Sequence, residues 1–203
     1  HGFFHDKKNN FYALSEGGIT QILNEHNPKN LAFTYIPWPI HVGGQFLKTF
    51  DNVVFENNEI FFATNFGIVY FDGDSLYAVK TGNQWLDNGL ITAIKHEENN
   101  VVWVSTGNNG IFKVQLSKRN GKVLEHLDIT NGLLANAVLD IIYDDKSKFI
   151  WCAHYNGLSA VKLNNNTAQV VKKITESEGF LPYDFTYCKL GLQRNGQYIW
   201  LVT

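Results

Sequence analysis

The stretch FIWCAHYNGLSAVKL, Phe149–Leu163, combines a strand with a central tryptophan, a polar turn that ends in glycine, and a second apolar strand. Similar stretches occur earlier, VVWVSTGNNGIFKVQL at Val101–Leu116, and later, YIWLVT at Tyr198–Thr203. The Asn and Gly residues of the turns tolerate the positive φ angles that tight hairpins require. Because the hairpin recurs about every 40 to 50 residues, the sequence predicts a propeller or a solenoid.

Three anchors recur in one order: an aromatic residue in the second strand of each unit, a turn glycine, and a GL-type segment ahead of both. The aromatic anchors are Trp103, Trp151 and Trp200, with Phe62 and Tyr12 in the equivalent position of the earlier units. The glycine anchors are Gly18, Gly67, Gly110 and Gly157. The GL-type segments are DNGLITAI (Asp87–Ile94), TNGLLANAVLDII (Thr130–Ile142) and SEGFLPYDFTYC (Ser177–Cys188). We expect the tryptophans to fill the core between adjacent sheets and the glycines to be structural.

Each unit contains four short segments that are rich in β-branched and aromatic residues, as is typical of strands. A four-stranded antiparallel sheet repeated radially is a blade of a β-propeller, so we predict an all-β protein of this class. A β-sandwich would also explain the strands, but it would not explain why the anchors recur every four strands.

The predicted blades are a partial blade at 1–40, complete blades at about 46–85, 90–129 and 133–174, and a partial blade at 181–203. We predict three strands in the first partial blade, equivalent to strands two to four, and two strands in the last. Strand two would then be present at both ends of the chain. We therefore expect a fragment of about four blades from a larger propeller.

Composition narrows the classes of partner. The formal net charge of -2 argues against nucleic acid and against an anionic membrane, because both require a basic surface. The sequence has no apolar run of about 18 residues, so we predict no membrane insertion by this segment. The two cysteines, Cys152 and Cys188, are too few for a disulfide framework. Adjacent blades would bring them close together, but two buried free thiols are the simpler expectation, and whether they are bonded stays open.

The stretch Asn131–Leu163 resembles the propeller repeat of the extracytoplasmic sensor regions of hybrid two-component regulators. The matching positions are Gly132, Leu133, Asn136, Val138, Ile141, Asp144, Ile150, Trp151, Gly157 and Leu158. The unit Asn88–Val114 lacks the polar insert after its GL pair and matches at Gly89, Leu90, Ile94, Trp103, Thr106, Gly110 and Ile111. The resemblance implies a periplasmic sensing domain, often for polysaccharide-derived oligosaccharides, that is joined in the full protein to a membrane-spanning kinase.

In such a blade the turns between strands two and three, and the connections from strand four to the next strand one, lie on the same face. The first set places there Asn65, Phe66, Asn108, Asn109, His154, Tyr155 and Asn156. The second set adds Trp85, Asp87, Asn131, Asn136, Glu178, Tyr183 and Asp184. Amides satisfy sugar hydroxyls and aromatic rings stack on a pyranose, so this combination suits a carbohydrate.

The candidate ligand-binding residues are Asn65, Trp85, Asn108, His154, Tyr155, Tyr183 and Asp184. Two alternatives stay open. Asn109 and Asn156 precede glycines and are first of all turn residues, and for Trp85 and Tyr183 buried packing between blades is the more common role.

Enzyme chemistry finds little support in the sequence. The histidines show no H-E-x-x-H spacing, and no G-x-S-x-G is present. A metal ion bound by His1 and His5 is a minor alternative. A glycosidase needs two carboxylates about 5 to 10 Å apart, and on this face only Asp87 with Asp184 or Glu178 would supply them. We therefore predict no catalytic residues, no metal site and no cofactor.

The sequence thus favours a non-enzymatic, periplasmic ligand-sensing domain with an oligosaccharide as its candidate ligand. A propeller scaffold for a protein partner or for dimerisation, including a homodimer, is the first alternative, and a carbohydrate-active propeller enzyme is the second.

Overall fold

The computed structural model describes residues 2–15, 17–38, 47–164, 167–180, 189–192 and 199–202. Within these residues the strands form four four-stranded antiparallel sheets and one two-stranded sheet. Each strand pairs with its neighbours in the sequence, so every sheet is a meander, as a propeller blade requires.

The strands are numbered in chain order. The first sheet consists of β1 (Gly2–His5), β2 (Phe11–Leu14), β3 (Gly18–Leu23) and β4 (Ala32–Pro37). The second consists of β5 (Thr49–Val54), β6 (Ile60–Thr64), β7 (Gly67–Phe71) and β8 (Leu76–Ala78). The third consists of β9 (Ile91–Glu98), β10 (Val101–Thr106), β11 (Ile111–Ser117) and β12 (Asn120–Leu127). The fourth consists of β13 (Asp140–Asp144), β14 (Phe149–His154), β15 (Gly157–Asn164) and β16 (Thr167–Ile174). The fifth consists of β17 (Lys189–Leu192) and β18 (Ile199–Val202).

Helical segments are short and lie in the connections between strands. They are α1 (Gln84–Asn88) and the 3₁₀ turns Pro28–Asn30, Ile129–Asn131 and Glu176–Glu178. Three of these four segments fall in or next to the GL-type segments, so this anchor marks the connection from one sheet to the next.

The first sheet has four strands, and the prediction of three was wrong. The additional strand, β1, pairs antiparallel with β2 from Gly2 opposite Leu14 to His5 opposite Phe11. Its sequence, GFFH, is too short to show the alternation of apolar and polar residues that identifies a strand.

Apolar clusters between consecutive sheets form the core. All residues of β6 and β7 are buried, because each of these strands has a neighbouring sheet on both faces. At the next interface Trp103 packs in one cluster with Ile141 and Ile150 of the fourth sheet. By contrast, the outer strand β12 alternates exposed and partly buried residues, as expected for an edge strand.

The aromatic anchor of the second sheet is Phe61, and its prediction as Phe62 was wrong by one residue. Phe61 lies three residues before Thr64, as Trp103 lies three residues before Thr106. Phe61 packs towards the third sheet, whereas Phe62 packs against Phe4 of the first sheet with ring centres 5.6 Å apart. A shift of one residue in a strand moves a side chain to the opposite face of the sheet.

The predicted core tryptophans differ in burial. Trp103 is 0% exposed, which confirms its core position. Trp151 is only partly buried and stacks on Phe149, and the Trp200 side chain lies outside the described part of the chain. Cys152 points to the face opposite Trp151, as predicted, and is a free thiol buried against the third sheet. Cys188 lies outside the described residues.

Candidate functional site

We call the face that carries the strand two-to-three turns and the connections between sheets the loop face. The connections join turns of consecutive sheets through backbone hydrogen bonds. The Gly67 N–H donates to Gly89 O at 2.8 Å, and the Gly107 N–H donates to Leu90 O at 2.9 Å. The Gly110 N–H repeats the pattern one sheet later with Asn136 O at 2.8 Å. These bonds connect the loop face from the second sheet to the fourth.

The turn glycines of this face are structural, as the sequence predicts. Gly110 has φ of 71° and Gly157 has φ of 151°, conformations that favour glycine. A Cβ atom on Gly110 would lie 2.0 Å from Leu127 O, and one on Gly157 would lie 2.1 Å from Ile174 O. In the third and fourth sheets the outer strand therefore packs directly on the turn glycine, whereas Gly67 of the second sheet is packed by Leu86 of α1.

A hydroxyl closes the strand two-to-three turn in the first three sheets. Ser15, Thr64 and Thr106 donate from Oγ to the carbonyl of their turn glycine at 3.1, 2.7 and 3.0 Å. In the fourth sheet His154 occupies this position at the end of strand two, directly opposite Gly157.

The predicted contact residue His154 is buried, with 1% of its surface exposed. Its Nδ1 lies 2.9 Å from Ala137 O, and its Nε2 lies 2.9 Å from Ser159 Oγ. A nitrogen that faces a carbonyl must carry the proton, so Nδ1 donates and Nε2 accepts from the serine hydroxyl. Both ring nitrogens are engaged, and we leave His154 out of the proposed contact set.

Burial lowers the pKa of His154, and its hydrogen bond to Ala137 only partly offsets this effect. The unfolded imidazole keeps its ordinary pKa of about 6.5, so just below this pH the unfolded state binds more protons. Stability should therefore fall as the pH decreases below about 6.5. In His154→Gln the free energy of unfolding should be about 2 kcal/mol lower at neutral pH, because a buried hydrogen bond is lost, and it should depend less on pH. Urea unfolding at pH values on either side of 6.5 measures both effects.

The control is His26→Gln, which changes an exposed histidine and should keep the pH dependence of the unaltered protein. A His154→Gln variant with that same pH dependence would contradict the assignment of the buried imidazole.

The remaining predicted contacts divide into exposed and engaged residues. Trp85 is 44% exposed and Tyr155 is 55% exposed, and Asn108 is also exposed. Asn65 is partly buried, and its Oδ1 accepts the Lys48 N–H at 2.7 Å, so it acts as a turn residue. The last two predicted contacts, Tyr183 and Asp184, lie outside the described residues.

The carboxylates of the loop face stabilise its connections. Asp87 Oδ1 accepts hydrogen bonds from the Thr81 N–H at 2.7 Å and the Thr81 hydroxyl at 2.6 Å. Glu178 Oε2 accepts the Thr175 hydroxyl at 2.7 Å and the Thr175 N–H at 2.9 Å. These bonds, the hydroxyl bond first, hold the pKa of Glu178 at about 2. A glycosidase acid needs a raised pKa, so Glu178 does not suit that role.

Polar side chains also stabilise the connection between the third and fourth sheets. Asn131 Oδ1 accepts the Asp128 N–H at 3.1 Å, and Asn136 Oδ1 accepts the Ile129 N–H at 2.9 Å. In the described ranges no group of three or more His, Cys, Asp or Glu side chains is placed to hold a metal ion. His5 stacks on Phe11 with ring centres 4.6 Å apart, and His1 lies outside these ranges.

Two aspartates of the innermost strands were missed by the sequence analysis. Asp51 Oδ2 accepts the Ile94 N–H at 3.1 Å and pairs with the Lys95 ammonium at 2.7 Å. Asp140 repeats this arrangement two interfaces later, between the fourth and fifth sheets: its Oδ2 accepts the Leu190 N–H at 2.8 Å. The signal was an aspartate in the first strand of both sheets, opposite an alanine of strand two, Ala63 or Ala153. These carboxylates hold the innermost strands of consecutive sheets in register.

Asp140 is the more buried of the two, with 1% of its surface exposed. Burial raises its pKa, and the nearby ammonium of Lys189, 3.8 Å from Oδ1, opposes this effect. The same ammonium donates to Phe50 O of β5 at 3.4 Å, so Lys189 links the fifth sheet to both the fourth and the second.

Neither protein-family models nor curated proteins match the sequence, but solved structures do match the fold. The extracellular domain of BT4673 from B. thetaiotaomicron, described as a hybrid two-component system, superposes with a TM-score of 0.73 at 14% identity over 98% of this chain and 28% of that chain. The corresponding domain of BT3049 gives 0.71 at 18% identity over 100% of this chain and 25% of that chain. The fold is a β-propeller.

The propeller class predicted from the sequence is thereby confirmed, and the neighbours agree with the two-component resemblance of the repeat. The chain spans 28% and 25% of the length of these two neighbours. Virginiamycin B lyase from Staphylococcus aureus also superposes, with a TM-score of 0.60 at 13% identity over 100% of this chain and 62% of that chain. The fold therefore serves both sensors and enzymes, and function must be argued from the site.

None of the helices in the described ranges is long and apolar enough to cross a membrane.

Proposed function

We propose that this chain is part of an extracytoplasmic, periplasmic sensor domain of a two-component regulator, and that it binds its ligand without converting it. The observation that carries the proposal is the similarity of fold to extracellular domains of two such systems over 98% and 100% of the chain. The engaged carboxylates Asp87 and Glu178 also favour binding over hydrolysis.

The loop face is the proposed binding surface, and an oligosaccharide is the proposed ligand. Trp85 and Tyr155 keep 44% and 55% of their surface exposed, although large aromatic rings are usually well buried. An exposed ring stacks on the apolar face of a pyranose, and the Asn108 amide can both donate to and accept from a hydroxyl. Tyr183 and Asp184 remain proposed contacts on the same face.

If these rings stack on sugars, Trp85→Ala and Tyr155→Ala should each weaken oligosaccharide binding about tenfold, since one aromatic stacking contact contributes about 0.5 to 1.5 kcal/mol. Isothermal titration calorimetry with a panel of short neutral oligosaccharides measures the change. Phe3→Ala is the matched control, because Phe3 is an exposed aromatic residue of an innermost strand, 71% exposed, outside the connections.

If the unaltered chain binds an oligosaccharide and both variants bind it with the same affinity, these rings are excluded as contacts. Absence of binding to every member of the panel at millimolar concentration would exclude the oligosaccharide.

A second candidate function, assembly through a homodimer, is favoured by the outer face of the first sheet. Phe3, Phe33 and Tyr35 are 71%, 62% and 56% exposed, and they share the face that points away from the second sheet. The equivalent face is buried in the next three sheets, where its second-strand residues are Ile60, Phe62, Val102, Val104, Ile150 and Cys152. A second copy of the chain would cover this face with the same face of its own first sheet, packed about a twofold axis as in a closed dimer.

Phe33→Ser should reduce self-association of the 203-residue chain by at least about tenfold, because burial of a phenylalanine contributes about 1.5 to 3 kcal/mol. Sedimentation velocity over a concentration series measures this change. Leu124→Ser, at a 45% exposed position on the outer strand of the third sheet, is the control. A chain that stays monomeric at all concentrations would exclude the homodimer.

A further inference from the structure

A cleft of about 370 Å³ lies between the second and third sheets, on the side opposite the loop face. Its lining residues are Tyr70, Asp72, Lys118, Arg119 and Asn120. This volume falls in the range of roughly 300 to 1,000 Å³ that is usual for ligand sites. A second cleft lies between the third and fourth sheets and is lined in part by Lys113 and Lys148. Its volume of about 250 Å³ is smaller than this range.

The backbone around Arg119 is fixed by contacts between the two sheets. The Lys80 N–H donates to Arg119 O at 2.8 Å, and the Gly121 N–H donates to Lys80 O at 3.0 Å. The turn between β11 and β12 is thus tied to the chain that follows β8. The position of Arg119 therefore does not depend on a ligand.

The side chain of Arg119 is also held in place. Its guanidinium carbon lies 3.4 Å from the centre of the Tyr77 ring, and Tyr77 in turn stacks on Tyr70 with ring centres 6.4 Å apart. A guanidinium that lies flat on a ring uses its face for that contact and keeps its N–H donors, which point outward in the plane, available.

Those donors are unused. Among the residues that the structure describes, the Arg119 guanidinium and the Lys118 ammonium make no hydrogen bond and no ion pair. The lining contains one carboxylate, Asp72, which already accepts the Asp74 N–H at 3.0 Å and the Ser75 N–H at 2.8 Å. Partial burial would raise the pKa of Asp72, but these hydrogen bonds, together with one from the Tyr77 hydroxyl, lower it. The cleft therefore presents two unpaired cations beside one carboxylate, whose Oδ1 already accepts two backbone hydrogen bonds.

We propose that this cleft binds a small ligand through a carboxylate, which Arg119 holds with two parallel N–H donors and Lys118 contacts as a second cation. The planar guanidinium matches a carboxylate in geometry, and such bidentate pairs are among the stronger hydrogen bonds of proteins. The site is separate from the loop face, so it stands whether or not Trp85 and Tyr155 bind sugars.

Isothermal titration calorimetry on the complete 203-residue chain tests the proposal, with digalacturonate as the carboxylated probe and its neutral counterpart, galactobiose, as the comparison. Digalacturonate should bind at least about tenfold more tightly than galactobiose. Arg119→Lys keeps the charge but loses the two-donor geometry, and it should weaken digalacturonate binding about tenfold. Arg119→Gln should weaken it further. Lys172→Gln makes the same change in net charge on the exposed outer strand of the fourth sheet and should leave the affinity unchanged.

Three results would overturn the proposal. The first is no binding of digalacturonate by the unaltered chain. The second is unchanged binding by Arg119→Gln; if that variant only melts at a lower temperature, Arg119 serves packing between the sheets and nothing more. The third is equally tight binding of inorganic sulfate, which would reduce the cleft to an unselective anion site.

Discussion

Replacing Gly157 by alanine is expected to lower the free energy of unfolding by about 3 to 5 kcal/mol. The glycine has φ of 151°, a conformation that costs about 1 to 3 kcal/mol in other residues. The added Cβ would also lie 2.1 Å from Ile174 O and 2.9 Å from Leu134 Cδ2, and overpacking of this kind costs about 1 to 3 kcal/mol more. Domains are typically stable by only about 5 to 15 kcal/mol, so urea unfolding should show a large fall in the midpoint.

Gly73→Ala separates the cost of backbone strain from the cost of a steric clash. Gly73 has φ of 108°, but no atom lies within 4 Å of the position of its added Cβ. This variant should lose only the strain energy, about 1 to 2 kcal/mol. Equal decreases in the free energy of unfolding for Gly157→Ala and Gly73→Ala would mean that Ile174 does not lie against the Gly157 turn.

Trp103→Ala is expected to lower the free energy of unfolding by about 3 to 5 kcal/mol, the usual cost of truncating a fully buried aromatic residue. The indole is 0% exposed, and its Nε1–H donates to Glu97 Oε2 at 2.7 Å. Lys113 pairs with the same carboxylate at 2.8 Å. The substitution would therefore leave a cavity between two sheets and remove a hydrogen bond to a partly buried ion pair.

Trp151→Ala is the matched comparison, because Trp151 has the same place in the next sheet but remains partly exposed. Trp151→Ala should lower the free energy of unfolding by less, about 1 to 2 kcal/mol, since less buried apolar surface is lost. Chemical denaturation of both variants gives the difference. A larger loss for Trp151→Ala than for Trp103→Ala would contradict the packing of the third sheet on the fourth.

The fold was predictable because its signals are local. Turn glycines, Asn-rich hairpins and a tryptophan in mid-strand recur at the same spacing, and short-range turn chemistry determines each hairpin. The position of Phe61 was not predictable, because β6 is buried on both faces and shows no alternation. The burial pattern then does not distinguish the two adjacent phenylalanines. Only the three-residue spacing to Thr64 identifies Phe61, and the structure is needed to show that Thr64 is equivalent to Thr106.

The candidate sites were predictable only in part. Trp85 and Tyr155 were expected in connections and turns, and the structure leaves both exposed. His154 looked like a turn residue, but its burial depends on Ala137 and Ser159, which approach it from a connection and a neighbouring strand. The Arg119 cleft had no signal in the sequence, since it forms only when the turn after β11 packs on the chain after β8.

The central claim is that the sheets are arranged radially and that the anchor aromatic of one sheet packs on the next. Nuclear Overhauser effects from the Trp103 indole test it most directly. The account predicts cross-peaks to methyl groups of the fourth sheet, such as those of Ile141 and Ile150. Cross-peaks to methyl groups of the first sheet, or an indole that contacts only solvent, would contradict it.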